Sequence, residues 1–320
     1  MTMTKKVTAA HFQLTVRCNL HCSFCGQSRG MAGFADNEIS PKQWLFFAEQ
    51  LREISGVPPT ITLWGGEPML YDQFNYLARQ LRELGHPLQT VTNATMLENS
   101  ADILCRCFDT VFISLDGLEK HHDAVRGKGV FNAVCNNLKL LDKRCGKVIF
   151  LCTVSDTNVD VLPEILPQMA KLGCDGIVLQ QLMYLSSSEI ERYRTFSREF
   201  FGCDYPELTG WMRDDDSSYR NKLLKMLAEI NEKKYTVPVI FTPHACLHGY
   251  DTPCKKQLER IHIRHDGETG FCTDYFGFSA GNAKSSSLHE IIYGSRAELF
   301  HSAVESGKLP ICSHCPWRMQ

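Results

Sequence analysis

The sequence predicts an α/β fold: an open or partial (β/α)6 barrel followed by a small, cysteine-rich β-hairpin and helix domain. Three observations carry this. Up to about residue 182, short β-branched or apolar runs alternate with stretches of helical periodicity. The connections between them are short, as in a parallel sheet wrapped by helices. From about His244 the pattern gives way to a chain punctuated by cysteines. A length of 320 residues suits one large domain with an appendage.

The elements follow in order. Phe12 to Val16 alternates as a strand does. Ser40-Pro41-Lys42-Gln43 supplies an N-cap, a first-turn proline and the closing residue of a capping box, so a helix runs from there to about Ile54. Thr60 to Trp64 reads as a strand. Phe74, Leu77, Leu81 and Leu84 form a core-facing helical stripe. Gln89 to Thr92 and Thr110 to Leu115 are strands with a short helix between them. Phe131, Val134, Leu138 and Leu141 repeat the helical step. Val148 to Val154 is almost continuously apolar, as a strand buried on both faces would be. A helix over Leu162 to Leu172 and a strand over Ile177 to Leu182 complete six β-α steps. Two further helical stretches, about Ser187 to Phe201 and Ser218 to Glu232, flank a polar segment. A hairpin is predicted from Arg260 to Tyr275, turning at Asp266-Gly267, and an amphipathic helix around Leu288 to Ile292. The expected units are a barrel over 1–182, a helical connection over 183–240 and the cysteine-rich domain over 241–320, with the domain change between residues 234 and 246.

Composition narrows the function. Hydrophobic residues make up 43% and charged residues 22%, the balance of a soluble globular enzyme. The net charge of −2 gives no electrostatic reason to expect nucleic acid or an anionic membrane as partner. No signal peptide or apolar run of spanning length is visible, so the expected location is the cytoplasm. Fifteen cysteines without an export signal do not read as a secreted disulfide framework. Clustered cysteines in a reducing compartment point to metal, and scattered ones to packing.

Cys18, Cys22 and Cys25 form C-x3-C-x2-C directly after the first strand. No fourth ligand follows at zinc-like spacing, although a structural zinc site normally has four. A [4Fe–4S] cluster held by three thiolates leaves one iron open. Zinc and a chance cluster are the competing readings.

This loop, C-x3-C-x-aromatic-C at the end of the first strand, resembles that of the radical S-adenosylmethionine (radical SAM) enzymes. The resemblance implies that the open iron chelates S-adenosylmethionine and that one electron cleaves it to a 5′-deoxyadenosyl radical. Phe24 matches the aromatic beside the adenine. Gly65-Gly66-Glu67-Pro68, after Trp64, resembles the motif that meets the methionine amino group. Thr92-Asn93 ends the third strand and Ser114-Leu115-Asp116-Gly117 the fourth. Ser114 and Arg126 are placed as in relatives where such a pair binds the carboxylate. Each piece alone has an ordinary reading as a turn or cap. Together they fall in order at the ends of successive strands, over roughly residues 10–182.

Downstream, Cys254-x12-Gly267-x4-Cys272 and Cys312-x2-Cys315 resemble the twitch domain, the shorter form of the SPASM extension. This implies one auxiliary [4Fe–4S] cluster held by Cys254, Cys272, Cys312 and Cys315; zinc fits the spacing as well. With all four thiolates bound, the auxiliary cluster has no open iron, which implies electron transfer or a structural role. Cys246 is left over, as a substitute ligand, a hydrogen-atom donor or a buried thiol. Asp274 stands near the catalytic aspartate of some relatives, one position off, and is the candidate base. Cys105, Cys107, Cys135, Cys145, Cys152, Cys174 and Cys203 read as packing.

Two substrate classes are compatible with the resemblance. One is a peptide or peptide-like natural product, modified by epimerisation, cross-linking or oxidation. The other is a small molecule, as in the aminocyclitol dehydrogenases. A metal-binding scaffold explains the cysteines but not Gly65-Gly66-Glu67 or Ser114 and Arg126. About ten residues precede the first strand, so the N-terminal peptide-recognition domain of many relatives is expected to be missing. The implied partners are the substrate and an electron donor such as flavodoxin or ferredoxin.

Overall fold

The computed structural model describes residues 6–26, 37–141, 145–183, 185–212, 217–242, 254, 259–273, 275, 277–310, 312 and 315. Ten strands form one open sheet in the order β10-β9-β8-β1-β2-β3-β4-β5-β6-β7. The parallel part is β1 (Ala9–Thr15), β2 (Thr60–Gly65), β3 (Leu88–Thr92), β4 (Thr110–Ser114), β5 (Lys147–Val154), β6 (Gly176–Gln181) and β7 (Val239–Thr242). The expected six strands are therefore followed by a seventh, which four residues of chain were too short to signal. The C-terminal hairpin, β8 (Arg260–Ile263) and β9 (Glu268–Gly270), joins the same sheet. β8 lies parallel to β1, pairing His11 with His262, while β9 and β10 (Gly281–Asn282) continue antiparallel.

Between the strands run α1 (Pro41–Ser55), α2 (Phe74–Glu83), α3 (Ala101–Cys107), α4 (Glu119–Arg126), α5 (Val130–Leu138) and α6 (Leu162–Ala170). After β6 come α7 (Ser187–Phe196), continued by a π-turn over Ser197–Phe201, and α8 (Ser217–Glu232); α9 (Leu288–Tyr293) and α10 (Ser295–Glu305) follow the hairpin. None of the helices among the described residues is long and apolar enough to cross a membrane. The cap of α1 is the one the sequence specifies: Ser40 accepts from Gln43 N, and the Gln43 side chain returns to Ser40 N.

The two faces of the sheet differ. On the helix side, Ala10, Phe12, Leu14, Ile61, Leu63, Val111, Ile113 and Phe150 are fully buried. Phe12 stacks on Trp44 of α1 at 4.6 Å between ring centroids. The opposite side chains of β3 to β6 (Val91, Phe112, Ile149, Leu151 and Val178 among them) are only half-buried. This corrects the reading of β5 as buried on both faces. Its apolar run spans a covered face and a face that lines an accessible lumen, and hydrophobicity alone does not separate these cases.

Cys107 and Cys152 are buried, as packed thiols are. Cys105 and Cys145 are not mere packing, however: they are joined as a disulfide between α3 and the approach to β5. Tertiary folding brings them together across a sequence separation of 40.

The α1 cap gives a testable consequence. Ser40→Ala should weaken the first turn by about 1 kcal/mol. Amide hydrogen exchange at Gln43 and Trp44 should then speed up by about fivefold, with α2 unaffected. Unchanged rates would mean that packing of Trp44, not the cap, holds the turn.

Candidate functional site

The candidate site gathers at the carboxyl ends of β1 to β4. β1 leaves its regular register with β2 between Gln13 and Thr15, and the chain then turns into the Cys18–Cys25 loop. Arg17, at the root of that loop, forms a two-pronged ion pair with Glu38, both contacts at 2.8 Å. Glu38 also accepts from the Thr15 hydroxyl. The far side of the loop is pinned to α4, where Ser23 N donates to Val125 O at 2.9 Å.

Gly65 and Gly66 are explained by backbone proximity. A Cβ on Gly65 would strike the carbonyl oxygen of Thr15, and one on Gly66 would strike that of Arg17. The φ of +153° at Gly65 also disfavours any other residue. The bare backbone lets Gly66 N donate to Thr15 O at 2.9 Å and Glu67 N to Arg17 O at 2.8 Å. The two glycines thus fasten the end of β2 to the start of the cysteine loop.

Glu67 is fully buried and acts as a joint. Its carboxylate accepts from Thr92 Oγ1 at 2.9 Å, Asn93 N at 2.8 Å and Met69 N at 3.3 Å. It therefore ties β2, the end of β3 and the 3-10 turn begun by Pro68 into one unit. Asn93 in turn donates through Nδ2 to Asn19 Oδ1 at 2.9 Å and lies 3.9 Å from Cys18 Sγ. Ala94, next along, has a left-handed φ of 59°, supported by its N–H bond to Thr92 Oγ1.

Asp116 is the second hub. Its Oδ2 accepts from Arg126 Nε at 2.5 Å and its Oδ1 from Thr153 N at 2.8 Å. Its backbone is held by His122 Nδ1 and by Asn158 Nδ2. The ion pair is buried, with 1% of the Asp116 side chain and 9% of the Arg126 side chain exposed. Burial works against the Arg126 charge, but Asp116 and Cys22 more than offset this and hold the guanidinium firmly protonated. Arg126 Nη1 lies 3.8 Å from Cys22 Sγ, and its guanidinium carbon sits 5.5 Å from the centre of the Phe24 ring. Ser114 and Arg126 are expected to act together on a carboxylate; the side chain that holds Arg126 in the fold is Asp116. Thr153, His122, Asn158 and Glu38 were missed from sequence because none belongs to a motif and each arrives through tertiary contact, and Asn19 because it fills an unspecified position inside the cysteine motif.

Cys18, Cys22 and Cys25 stand outside any disulfide and lie within electrostatic reach of one another. Burial raises the Cys18 thiol above its usual pKa and pushes Cys22 up to about 11. Binding of cationic iron would displace those protons, since thiolates are the ligating form. N–H donors reach two of the three sulfurs (Leu20 N at 3.4 Å and Asn93 Nδ2 to Cys18, Arg126 to Cys22), which suits an anionic iron–sulfur cluster. Among the described residues, no three His, Cys, Asp or Glu side chains are grouped tightly enough for a single metal ion.

At the other cysteine group, Cys254, Cys272, Cys312 and Cys315 are all half-buried and stand outside any disulfide. Cys315 N approaches Cys312 O at 3.5 Å, closing the knuckle. Burial raises the Tyr275 hydroxyl well above its usual pKa, and Cys272 and Cys312 are close enough to add to that shift. Tyr275 stacks on Tyr193 of α7 at 4.4 Å, fixing the connecting region against this group. Cys246 and Asp274 lie outside the described residues.

Comparison with known proteins follows the same division. A family model described as the radical SAM superfamily matches residues 12–165, and one described as an iron–sulfur cluster-binding domain (SPASM) matches residues 254–316. The sporulation killing factor maturation protein SkfB of Bacillus subtilis is 33% identical over 261 residues, covering 79% of this chain and 61% of SkfB. Pre-heme d1 synthase of Dinoroseobacter shibae is 33% identical over 177 residues, or 54% of this chain and 43% of the synthase. The chain thus spans less than two thirds of these relatives. The subtilosin biosynthesis protein AlbA of Bacillus subtilis is 27% identical over 169 residues, or 51% of this chain and 37% of AlbA. Among solved structures, Streptococcus suis SuiB bound to S-adenosylmethionine superposes with a TM-score of 0.73 at 16% identity, covering 97% of this chain and 73% of SuiB. That likeness shows the fold.

Glu67 yields a pH prediction. Burial raises its carboxyl from an ordinary value of 4.5 to about 7, so the folded chain binds this proton more tightly than the unfolded chain. Its contribution to stability is complete below pH 4.5 and is lost as the pH rises through about 7. Glu67→Gln should flatten the unfolding free energy across that window by at most about 3 kcal/mol, read by urea titration of the metal-free chain. An unaltered slope would show that the three donors, not desolvation, govern this group.

Proposed function

The chain belongs to the radical SAM superfamily and carries a C-terminal SPASM-type iron–sulfur domain, and from that membership we propose that it modifies a peptide or peptide-like natural product. Bound together, a [4Fe–4S] cluster and S-adenosylmethionine supply a 5′-deoxyadenosyl radical that takes a hydrogen atom from the substrate. Cys18, Cys22 and Cys25 hold three irons of that cluster and leave the fourth for the cofactor. The observation that carries the reading is this loop, flanked by Arg126 beside Cys22 and by the Glu67–Asn93 joint beside Cys18. The peptide substrate is supported by SkfB, named for maturation of a killing factor, and by AlbA, named for bacteriocin biosynthesis. The SkfB match takes in 79% of the chain, against 54% for pre-heme d1 synthase, which favours a peptide over a small molecule.

The chain's own residues divide the work. Gly65, Gly66, Glu67 and Pro68 form the rim that receives the methionine amino group, and Thr92 and Asn93 keep that rim rigid. Ser114 and Arg126 face the carboxylate, with Asp116 holding the Arg126 fork at a fixed angle. Phe24 packs beside the adenine. Cys254, Cys272, Cys312 and Cys315 would hold one auxiliary [4Fe–4S] cluster, which would supply an electron-transfer centre in the C-terminal domain. A flavodoxin or ferredoxin supplies the reducing electron. Cys246 and Asp274 are the candidate hydrogen donor and base.

Two experiments test this. Anaerobically reconstituted protein should bind about eight irons, and the Cys18→Ala, Cys22→Ala, Cys25→Ala triple variant about four, with cleavage of S-adenosylmethionine abolished. Stoichiometric zinc at the C-terminal cysteines would refute the auxiliary cluster. In the second, Ser114→Ala and Arg126→Lys should weaken S-adenosylmethionine binding by about tenfold or more at unchanged iron content, because lysine keeps the charge opposite Asp116 but loses the fork. Equal affinity in both variants would remove the pair from the site.

A further inference from the structure

The accessible face of the sheet carries polar groups that the reading above does not use. On β1 the alternation that sends Ala10, Phe12 and Leu14 under the helices sends His11 and Gln13 the other way. The strand registers then bring His262 of β8 and Thr62 of β2 beside His11, and Trp64 of β2 beside Gln13. The rings of His11 and His262 meet edge-on at 4.9 Å between centroids, and those of Trp64 and His262 at 5.4 Å. This group spans both cysteine-bearing halves of the chain, since β8 leads into Cys272. Gln13 lies ~7 Å below the end of β1, two residues at the usual strand rise.

What marks the group is unused hydrogen-bonding capacity. Gln13 is 0% exposed, yet among the described residues neither its Oε1 nor its Nε2 has a partner. Trp64 Nε1 and His262 Nε2 are equally buried and equally unpaired. Buried groups of this kind are ordinarily satisfied, and leaving them open costs stability that nothing in the surrounding protein returns. Four such atoms on three adjacent strands, all on the face that lines the lumen, ask for a ligand that both donates and accepts.

Charge and shape narrow the ligand further. Burial, with Arg260 nearby, pushes His11 down to about 4 and His262 well below its usual range, so both imidazoles are neutral. Further across the same face of the sheet, Val91 of β3, Phe112 of β4 and Leu151 of β5 are apolar and half-buried. A neutral amide carried next to an apolar side chain satisfies both parts.

We propose that Gln13, Trp64 and His262 form a recognition site for one amide unit of the substrate, with the Val91, Phe112 and Leu151 wall receiving the neighbouring apolar side chain. The Trp64 N–H donates to the amide carbonyl, and the Gln13 carbonyl accepts from the amide N–H. The substrate class is an uncharged, apolar stretch of peptide, which rests on the peptide reading of the preceding subsection. Both probes below are simple compounds, so the site is measured without turnover.

Equilibrium dialysis of the anaerobically reconstituted holoenzyme, saturated with S-adenosylmethionine, provides the test. N-acetyl-leucinamide should bind saturably, and isopentyl acetate, which keeps the apolar branch and a carbonyl but has no amide N–H, about tenfold more weakly. Gln13→Met should weaken the amide probe by about tenfold, with iron content and S-adenosylmethionine affinity unchanged. Absence of saturable binding, equal affinity in Gln13→Met, or equal or tighter binding of the ester each overturns the proposal. The comparison of the two probes on the unaltered enzyme decides the matter even if Gln13→Met does not fold. A holoenzyme that binds the amide but never cleaves S-adenosylmethionine overturns the functional reading instead and leaves this site standing.

Discussion

The buried Asp116–Arg126 ion pair is the contact on which the rest of the site depends. An isolated charge in that environment is costly, and removing one partner of a buried pair typically costs about 3–5 kcal/mol. Here the cost is contained because each partner is fully engaged. Thr153 N takes the second oxygen of Asp116, while His122 and Asn158 fix its backbone. The guanidinium then reaches Cys22 in one direction and the Phe24 ring in another. One ion pair so positions β4, α4, the start of the cysteine loop and, through Thr153, the end of β5.

A second constraint works through absence of side chains. The ends of β1 and β2 approach so closely that Gly65 and Gly66 have no room for a Cβ. In motif terms these glycines are reserved for a ligand. In the fold they are already needed to let Gly66 and Glu67 donate to Thr15 and Arg17. The two uses are compatible: a backbone stripped of side chains can be bound from beneath by β1 and still present its upper surface. Glu67 then carries the rigidity from β2 to β3, which is why a fully buried carboxyl is retained at a strand end.

The sheet has one face covered by helices and one facing an accessible lumen, and β8 enters that lumen wall from the far end of the sequence. The hairpin that leads to the second cysteine group therefore extends the first sheet and delivers His262 beside His11 and Trp64. The connecting region is bound to the segment that follows this hairpin, where Ser197 and Tyr275 share a hydrogen bond and Cys203 donates to Gly277 O.

Local order was largely legible in the sequence. Ser40-Pro41-Lys42-Gln43 predicted a capping box that is present, and the runs from Thr60, Thr110 and Ile177 became strands to within a residue, because caps and apolar periodicity are set by neighbours along the chain. So was the grouping of Cys18, Cys22 and Cys25, since eight residues after a strand end can only form one loop. Beyond its reach lay whatever depends on contacts distant in sequence. β7 and β10 were too short to carry a pattern, and the accessible face of β5 looked like core because an apolar lumen and an apolar core have the same composition. Arg126 was recognised but its hold by Asp116 was not, because that ion pair forms only when the helix after β4 folds back on the strand end. The predicted first strand began at Phe12 and left His11 outside it, and the meeting of His11 with His262 is a matter of register between strands some 250 residues apart, decided by the tertiary hydrogen bonds of β1 with β8.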